Sequence, residues 1–123
     1  MSDKEFVVAI RKPIYPLIVI SAEGLYSAFN IEELAFHCVN GILLDGEKYI
    51  KAIDSKGEEF WYVPDQFTIA PSFFCEKWTK KKIIELYNES IHDQEEFEKY
   101  SLKSLSAKKV IRIVSDICNI LKQ

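Results

Sequence analysis

Apolar and aromatic residues are densest in the middle of the chain. Two strand-like runs there, residues 48–53 and 58–63, flank the tetrapeptide Asp54-Ser55-Lys56-Gly57. Aspartate at the first position and glycine at the fourth fit a type I turn closed by a left-handed glycine. The two runs are therefore predicted to form a β-hairpin. Because aromatic residues crowd the stretch from Phe60 to Trp78, we expect this hairpin to lie at the centre of the core.

Three earlier runs are also rich in β-branched and aromatic residues. Residues 5–10, 17–21 and 25–29 are predicted strands, and the turn at Ala22-Glu23-Gly24 would join the last two as a hairpin. Two prolines separate the first run from the second. Since proline donates no backbone hydrogen bond, that connection is predicted to be a turn or a sheet edge.

An Asp-Gly pair flanked by apolar runs is a strong hairpin signal. Residues 42–44 are therefore predicted to pair with residues 47–53 across Asp45-Gly46. Residues 67–70 offer a further strand after the break at Pro64-Asp65. Together these runs predict an antiparallel meander.

The helices are predicted from caps and from helical spacing of apolar residues. Asn30, with Glu33 in a capping-box position, begins a short helix over residues 31–39, which Gly41 can end in the left-handed conformation. Thr79 caps a helix that runs to about Ser90. Alternatively, Ser72 caps an earlier turn, and the two would then merge into one longer helix.

The clearest helical pattern is at the C-terminus, where Ser106 is the predicted cap. Residues 92–100 are acidic and polar, and are predicted to be a short helix or a loose connection. Strands first and helices last indicate an α+β fold. We expect one domain over residues 1–123: an antiparallel sheet of about five strands in the first two-thirds, one short inserted helix, and two or three C-terminal helices packed on the sheet.

Composition limits the classes of function. The chain has 123 residues, a formal net charge of −3 and ordinary apolar content, which argues against a dedicated nucleic-acid-binding domain. Three cysteines, with no two at metal-ligand spacing, predict buried thiols in a reducing cytoplasm and no bound metal. No secretory signal and no apolar run long enough to span a bilayer is visible, so we expect a cytoplasmic protein.

No catalytic or cofactor motif is recognisable. Glu33 and His37 are four residues apart on the first helix, so they could form a held general base or a surface pair. The glycines are scattered through turns and do not form a phosphate-binding loop. We therefore expect a protein that is not an enzyme and uses no cofactor.

Two features favour a partner-binding surface. The first is a lysine cluster, Lys77 with Lys80, Lys81 and Lys82, at the start of the second helix, where positive charge opposes the helix dipole and suits an anion. A solubilising patch would have the same sequence. The second is the strand around Trp61, which is apolar on both sides. Either helices cover both faces, or one face is an exposed aromatic patch.

The predicted partner-binding residues are Trp61, Trp78, Lys77, Lys80, Lys81 and Lys82. The leading hypothesis is a small protein that binds another protein, with toxin-neutralising bacterial immunity proteins as an analogy of size and charge only. The alternative is a domain that binds RNA or a phosphorylated ligand with the lysine cluster and the tryptophans. A third hypothesis is a small enzyme whose pocket forms only in the fold, around His37 or His92.

Overall fold

The computed structural model of the protein describes residues 5–73, 76–91, 99–100, 103 and 107–122. The strands are β1 (Val7–Val8), β2 (Leu17–Ser21), β3 (Gly24–Ala28), β4 (Ile50–Ile53), β5 (Glu59–Val63) and β6 (Thr68–Pro71). The α-helices among these residues are α1 (Ile31–Asn40), α2 (Lys80–Ser90) and α3 (Val110–Lys122). The strands form one mixed sheet in the order β1-β6-β5-β4-β2-β3. The α+β class predicted from sequence is confirmed.

The predicted central hairpin is formed by β4 and β5, with Ile50 opposite Tyr62. Its turn is held by Asp54, whose Oδ1 accepts the backbone N–H groups of Lys56 at 2.9 Å and Glu58 at 3.0 Å. An aspartate that satisfies its own turn in this way fixes the hairpin locally. The β2–β3 hairpin is also confirmed.

The sheet differs from the predicted meander at its edge. β1 pairs with β6 in parallel, with Val7 opposite Thr68, so the sheet is mixed and not purely antiparallel. The strand predicted over residues 5–10 is only two residues long. Ile10 has a φ of 70°, which a β-strand does not accommodate, so the extended backbone ends before it.

Residues 42–44 do not form the predicted strand. The N–H of Ile42 donates to Ser21 Oγ at 3.0 Å, and its carbonyl accepts the N–H of Ala22 at 2.8 Å. These bonds fasten the segment to the end of β2, and β4 begins only at Ile50. Gly41 is extended, with a φ of −70°, and does not adopt the predicted left-handed conformation. Glycine fits there because a Cβ would lie 2.8 Å from the carbonyl oxygen of His37.

The helix caps follow the sequence closely. Asn30 Oδ1 accepts the N–H of Glu33 at 2.9 Å, and Glu33 Oε1 in turn accepts the N–H of Phe29 at 2.8 Å. Thr79 Oγ1 accepts the N–H of Lys82 at 3.2 Å. These bonds satisfy first-turn donors that a helix leaves unpaired.

The longer alternative for α2 is wrong, because the helix begins at Lys80 and its backbone is extended just before. Ser72 Oγ accepts the N–H of Glu76 at 3.0 Å, but residues 76–79 after this bond are not helical. The predicted cap at Ser106 and most of the acidic stretch 92–100 lie outside the described residues.

The sheet is covered on both faces at β2, where all five residues are buried, and this explains the continuous apolar run over residues 17–20. On one face, Leu34 and Cys38 of α1 belong to the same buried cluster as Phe60 and Tyr62 of β5. On the other face, α2 and α3 pack mainly over β2 and β3. The residues of that second core cluster are Ile18, Ile20, Ile53, Ile83, Ile84, Tyr87, Ile91, Ile113, Val114, Ile117 and Cys118.

Candidate functional site

The segment before α2 carries Trp78 to the central hairpin. The backbone N–H of Trp78 donates to the carbonyl of Gly57 at 2.7 Å, and the N–H of Glu59 donates to the carbonyl of Glu76 at 3.0 Å. Gly57 has a φ of +82°, and a Cβ on it would lie 2.9 Å from the carbonyl oxygen of Trp78. The left-handed backbone and the close approach of the second segment therefore both require glycine.

The carboxylate of Glu59 joins the two tryptophans of the chain. Its Oε2 accepts the indole N–H of Trp61 at 2.6 Å, and its Oε1 accepts the indole N–H of Trp78 at 2.9 Å. Glu59 is only 3% exposed although it is a glutamate. Both carboxylate oxygens thus accept hydrogen bonds within the fold, as a buried polar group requires.

An open groove of about 460 Å³ lies beside this cluster, and we call it the tryptophan groove. It is lined by Lys51, Glu59, Glu76, Lys77, Trp78 and Lys82. Lys51 forms an ion pair with Glu47 at 3.5 Å. Across the described ranges, Lys77 and Lys82 take part in no ion pair, so their charges are available to an anionic group.

The structure brings together most of the predicted partner-binding residues. Trp78, Lys77 and Lys82 line the tryptophan groove, and Trp61 adjoins it through Glu59. Lys80 and Lys81 lie in the first turn of α2 but do not line the groove. The lysine cluster is therefore divided between the groove and the surface of α2.

The two faces of β5 differ in exposure, which resolves the alternative left open by its sequence. Phe60 and Tyr62 are buried in the core, whereas Trp61 and Val63 are half-buried. The ring of Trp61 stacks on that of Tyr49, with centroids 4.8 Å apart and planes 8° apart. One side of β5 is core and the other is a partly exposed aromatic surface.

A second exposed surface lies outside the predicted site residues. It occupies the outer side of α1 and the segment that follows, and we call it the apolar ridge. Its members are Phe36, Val39, Ile42, Leu43 and Leu44. Phe36 is 63% exposed and Ile42 is 51% exposed. Large apolar residues that are exposed this close together in the sequence favour a partner-binding site.

The helical spacing of α1 already indicates that part of the apolar ridge is exposed, although the strand pattern of residues 42–44 indicates the opposite for the rest. Phe36 and Val39 fall outside the helix stripe that places Leu34 and Cys38 in the core. An apolar residue off that stripe faces away from the sheet. The apolar run 42–44 also fits a strand, in which part of the run would be buried.

The predicted Glu33–His37 pair has other partners in the fold. Glu33 Oε1 accepts the N–H of Phe29, so one oxygen serves as a helix cap. The ring of His37 stacks on Tyr26, with centroids 4.9 Å apart and planes 12° apart. Burial lowers the pKa of His37, and the nearby charge of Glu33 opposes that shift.

The two described cysteines, Cys38 and Cys118, are buried free thiols. Burial raises the pKa of each to about 12, so both stay protonated and poorly nucleophilic near neutral pH. Cys75 and His92 lie outside the described residues. Over the part of the chain that the structure describes, no group of three or more histidine, cysteine, aspartate or glutamate side chains is arranged to hold a metal ion.

None of the helices within the described ranges has both the length and the apolar character needed to cross a membrane. Comparison with known proteins gives no match, whether to a family model, a curated protein or a solved structure. The two surfaces, the tryptophan groove and the apolar ridge, are therefore the features of the fold that bear on function.

Proposed function

We propose that the chain is a small non-enzymatic protein that acts by binding another protein through the apolar ridge. The observation that carries this proposal is the exposure of Phe36, Val39, Ile42, Leu43 and Leu44 within one short stretch of backbone. The hydrogen bonds from Ile42 to the end of β2 hold that stretch in place. A surface ordered before binding loses less conformational entropy when a partner docks, so it favours affinity.

The size and acidity of the chain support a toxin-neutralising, immunity-type role as the specific form of this function. A net charge of −3 on 123 residues suits a protein that occludes a basic partner. Buried thiols such as Cys38 and Cys118 would stay reduced in a bacterial cytoplasm, where we place this activity.

The test is partner capture from the native cell with matched isoleucine variants. Ile42 on the apolar ridge and Ile111 on α3 are both 51% exposed, so Ile42→Ser and Ile111→Ser remove the same side chain at equal exposure. We expect Ile42→Ser, and Phe36→Ser with it, to weaken capture of a stoichiometric protein about tenfold or more, as loss of a binding hot spot does. Ile111→Ser should capture normally.

Equal capture by Ile42→Ser, Phe36→Ser and the wild type would refute the apolar ridge as the binding surface. Recovery of nucleic acid alone would refute a protein partner. Far-UV circular dichroism of each variant separates lost binding from lost folding.

The second candidate function is binding of RNA or a phosphorylated ligand, and the tryptophan groove is the observation that favours it. Lys77, Lys82 and Trp78 line one groove, and basic groups beside an aromatic ring suit single strands. Such binding should fall steeply between about 50 and 200 mM salt, because it releases counterions. Affinity that is insensitive to salt would refute this candidate.

A further inference from the structure

We propose that β3 pairs with β3 of a second copy of this chain, so that two copies form a symmetric dimer through one continuous sheet. β3 is an edge strand of the sheet. In the described part of the chain it pairs with β2 alone, and no other hydrogen bond reaches residues 24–28. The backbone N–H and C=O groups on its outer side are therefore open to another strand.

β3 lacks the features by which edge strands usually avoid such pairing. At the opposite edge of the sheet, β1 is only two residues long, and the backbone turns away at Ile10, where φ is 70°. β3 has five residues, none of them charged and none of them proline. A strand of that length and composition is a template for the addition of a further strand.

The helices leave the first half of this edge accessible. An open cavity of about 230 Å³ lies beside it, lined by Glu23, Gly24, Leu25 and Tyr26 together with residues of α2 and α3. Leu25 packs against the core cluster that contains α2 and α3, whereas Tyr26 packs against the cluster that contains α1. Neighbouring residues that point to opposite faces of the sheet both line the cavity, so it opens at the edge of the strand.

The charges at the two ends of β3 select a second copy as the occupant. Glu23 precedes the strand and Phe29 follows it, and Lys122 Nζ lies 4.8 Å from the centroid of the Phe29 ring. In an antiparallel pair with Tyr26 opposite Tyr26 of the second copy, Glu23 is opposite Phe29 of that copy. Directly opposite side chains share a face of the sheet, so the Glu23 carboxylate would lie beside Lys122 of the second copy. The two-fold symmetry repeats this ion pair at the other end.

Both charges are available for that pairing. Glu23 and Lys122 are exposed, and neither takes part in an ion pair within the described ranges. Among the described residues that line the cavity, Glu23 is the only charged one. The carboxylate of Glu33 also lies near Phe29, but it accepts the backbone N–H of Phe29 at 2.8 Å and belongs to α1, on the other face of the sheet from Lys122.

The same register matches the uncharged side chains of β3. It places Leu25 opposite Ser27, and Gly24 opposite Ala28, so that two small residues lie beside the central pair of Tyr26 rings. Aromatic pairs across strands stabilise a sheet, and no like charges meet within the strand. The strand is therefore complementary to itself in the antiparallel direction.

The experiment measures the mass of the full chain in solution by sedimentation equilibrium. One added strand pair is a small interface, so we expect a dimer with a dissociation constant of about 1–100 μM. Glu23→Lys and Lys122→Glu each place like charges opposite one another at both ends of the pair. Each variant alone should therefore dimerise about tenfold more weakly or worse.

An equimolar mixture of Glu23→Lys and Lys122→Glu is the decisive sample. In a mixed dimer each variant supplies the charge that the other lacks, so both ion pairs form again with reversed sign. We expect the mixture to associate within about threefold of the wild-type affinity. A contact within one chain would not be restored by mixing, so recovery assigns the ion pair to the contact between two copies.

A second pair of variants tests the strand itself. Tyr26→Lys places two lysines at the centre of the pair and should abolish the dimer, because charge on an edge strand opposes pairing. Tyr49→Lys is the matched control, since Tyr49 is also half-buried and stacked on a ring but lies outside β3. It should leave dimerisation unchanged. Far-UV circular dichroism checks that both variants fold, and the mixing experiment decides the matter if Tyr26→Lys does not.

Four outcomes would overturn the inference. They are a wild-type chain that stays monomeric at about 1 mM, no recovery on mixing, equal loss of the dimer in folded Tyr26→Lys and Tyr49→Lys, and loss of the dimer in Ile42→Ser. The last would place the contact between copies on the apolar ridge. The proposed function does not depend on this inference, because the apolar ridge and the outer edge of β3 consist of different residues.

Discussion

Replacing Glu59 by glutamine should destabilise the protein more than its small change in shape suggests. The carboxylate accepts two indole N–H groups, from Trp61 at 2.6 Å and from Trp78 at 2.9 Å. The amide of Glu59→Gln has one oxygen and one NH₂ group, so it can accept from only one indole. Its NH₂ group then faces the N–H of the other indole, so two hydrogen-bond donors point at each other and neither has an acceptor.

The magnitude follows from the bonds that are lost. A hydrogen bond to a charged group contributes about 1.5–3 kcal/mol, and a neutral one about 1 kcal/mol. Glu59→Gln loses one bond, weakens the other and removes the cost of burying a charge, which offsets part of the loss. We therefore expect the free energy of unfolding to fall by about 1.5–3 kcal/mol, a large part of the 5–15 kcal/mol typical of such a domain.

The assay is urea unfolding followed by far-UV circular dichroism and by tryptophan fluorescence. A double-mutant cycle with Trp61→Phe distinguishes two causes of lost stability: two donors facing each other, and a general loss of packing. Phenylalanine removes the indole N–H but keeps a ring against Tyr49. In that background the glutamine can turn its oxygen to Trp78, so Glu59→Gln should cost at least about 0.5 kcal/mol less. A single variant within about 0.5 kcal/mol of the wild type, or no coupling in the cycle, would refute the reasoning.

Two further predictions concern Gly57 in the β4–β5 turn and the pKa of His37 on α1. Gly57→Ala should lower the free energy of unfolding by about 1 kcal/mol or more, because φ is +82° and the new Cβ would meet the carbonyl of Trp78 at 2.9 Å; unchanged urea unfolding would contradict this. His37 should titrate below its usual pKa of 6.5, since burial between Tyr26 and its neighbours lowers the pKa against the opposing charge of Glu33. Because the unfolded chain binds the proton more tightly, this lowered pKa contributes stability that is fully present above pH 6.5. That stability is lost as the pH falls through the pKa of His37 in the folded protein. A proton NMR titration with a midpoint at or above 6.5 would contradict it.

Elements governed by local chemistry were predictable from sequence. The β4–β5 turn depends on Asp54 and Gly57, the first and last residues of a four-residue segment. Asp54 accepts backbone N–H groups of the turn, and Gly57 adopts the left-handed conformation. The caps at Asn30 and Thr79 depend on bonds across a single helical turn. In each case the residues that determine the geometry are close in sequence, so a local pattern suffices.

Elements that depend on distant contacts were not predictable. The parallel pairing of β1 with β6 joins residues about sixty positions apart, and apolar alternation does not specify a strand's neighbour. The tryptophan groove shows the same limit. Strand alternation places Glu59 on the face of Trp61, but Trp78 reaches it only because the segment before α2 pairs with Gly57.

The apolar ridge shows why function is harder to predict than fold in this chain. An apolar run such as residues 42–44 indicates that the chain would gain from burying those side chains, but not what covers them. The strand interpretation pairs these residues with residues 47–53, which would make them part of the sheet. Instead, the backbone groups of Ile42 are hydrogen-bonded to the end of β2, and the residue remains 51% exposed. Where local pattern and fold disagree in this way, the apolar residues are not explained by folding, and a function is the expected reason for the disagreement. That disagreement, more than the lysine cluster, makes the apolar ridge the first surface to test.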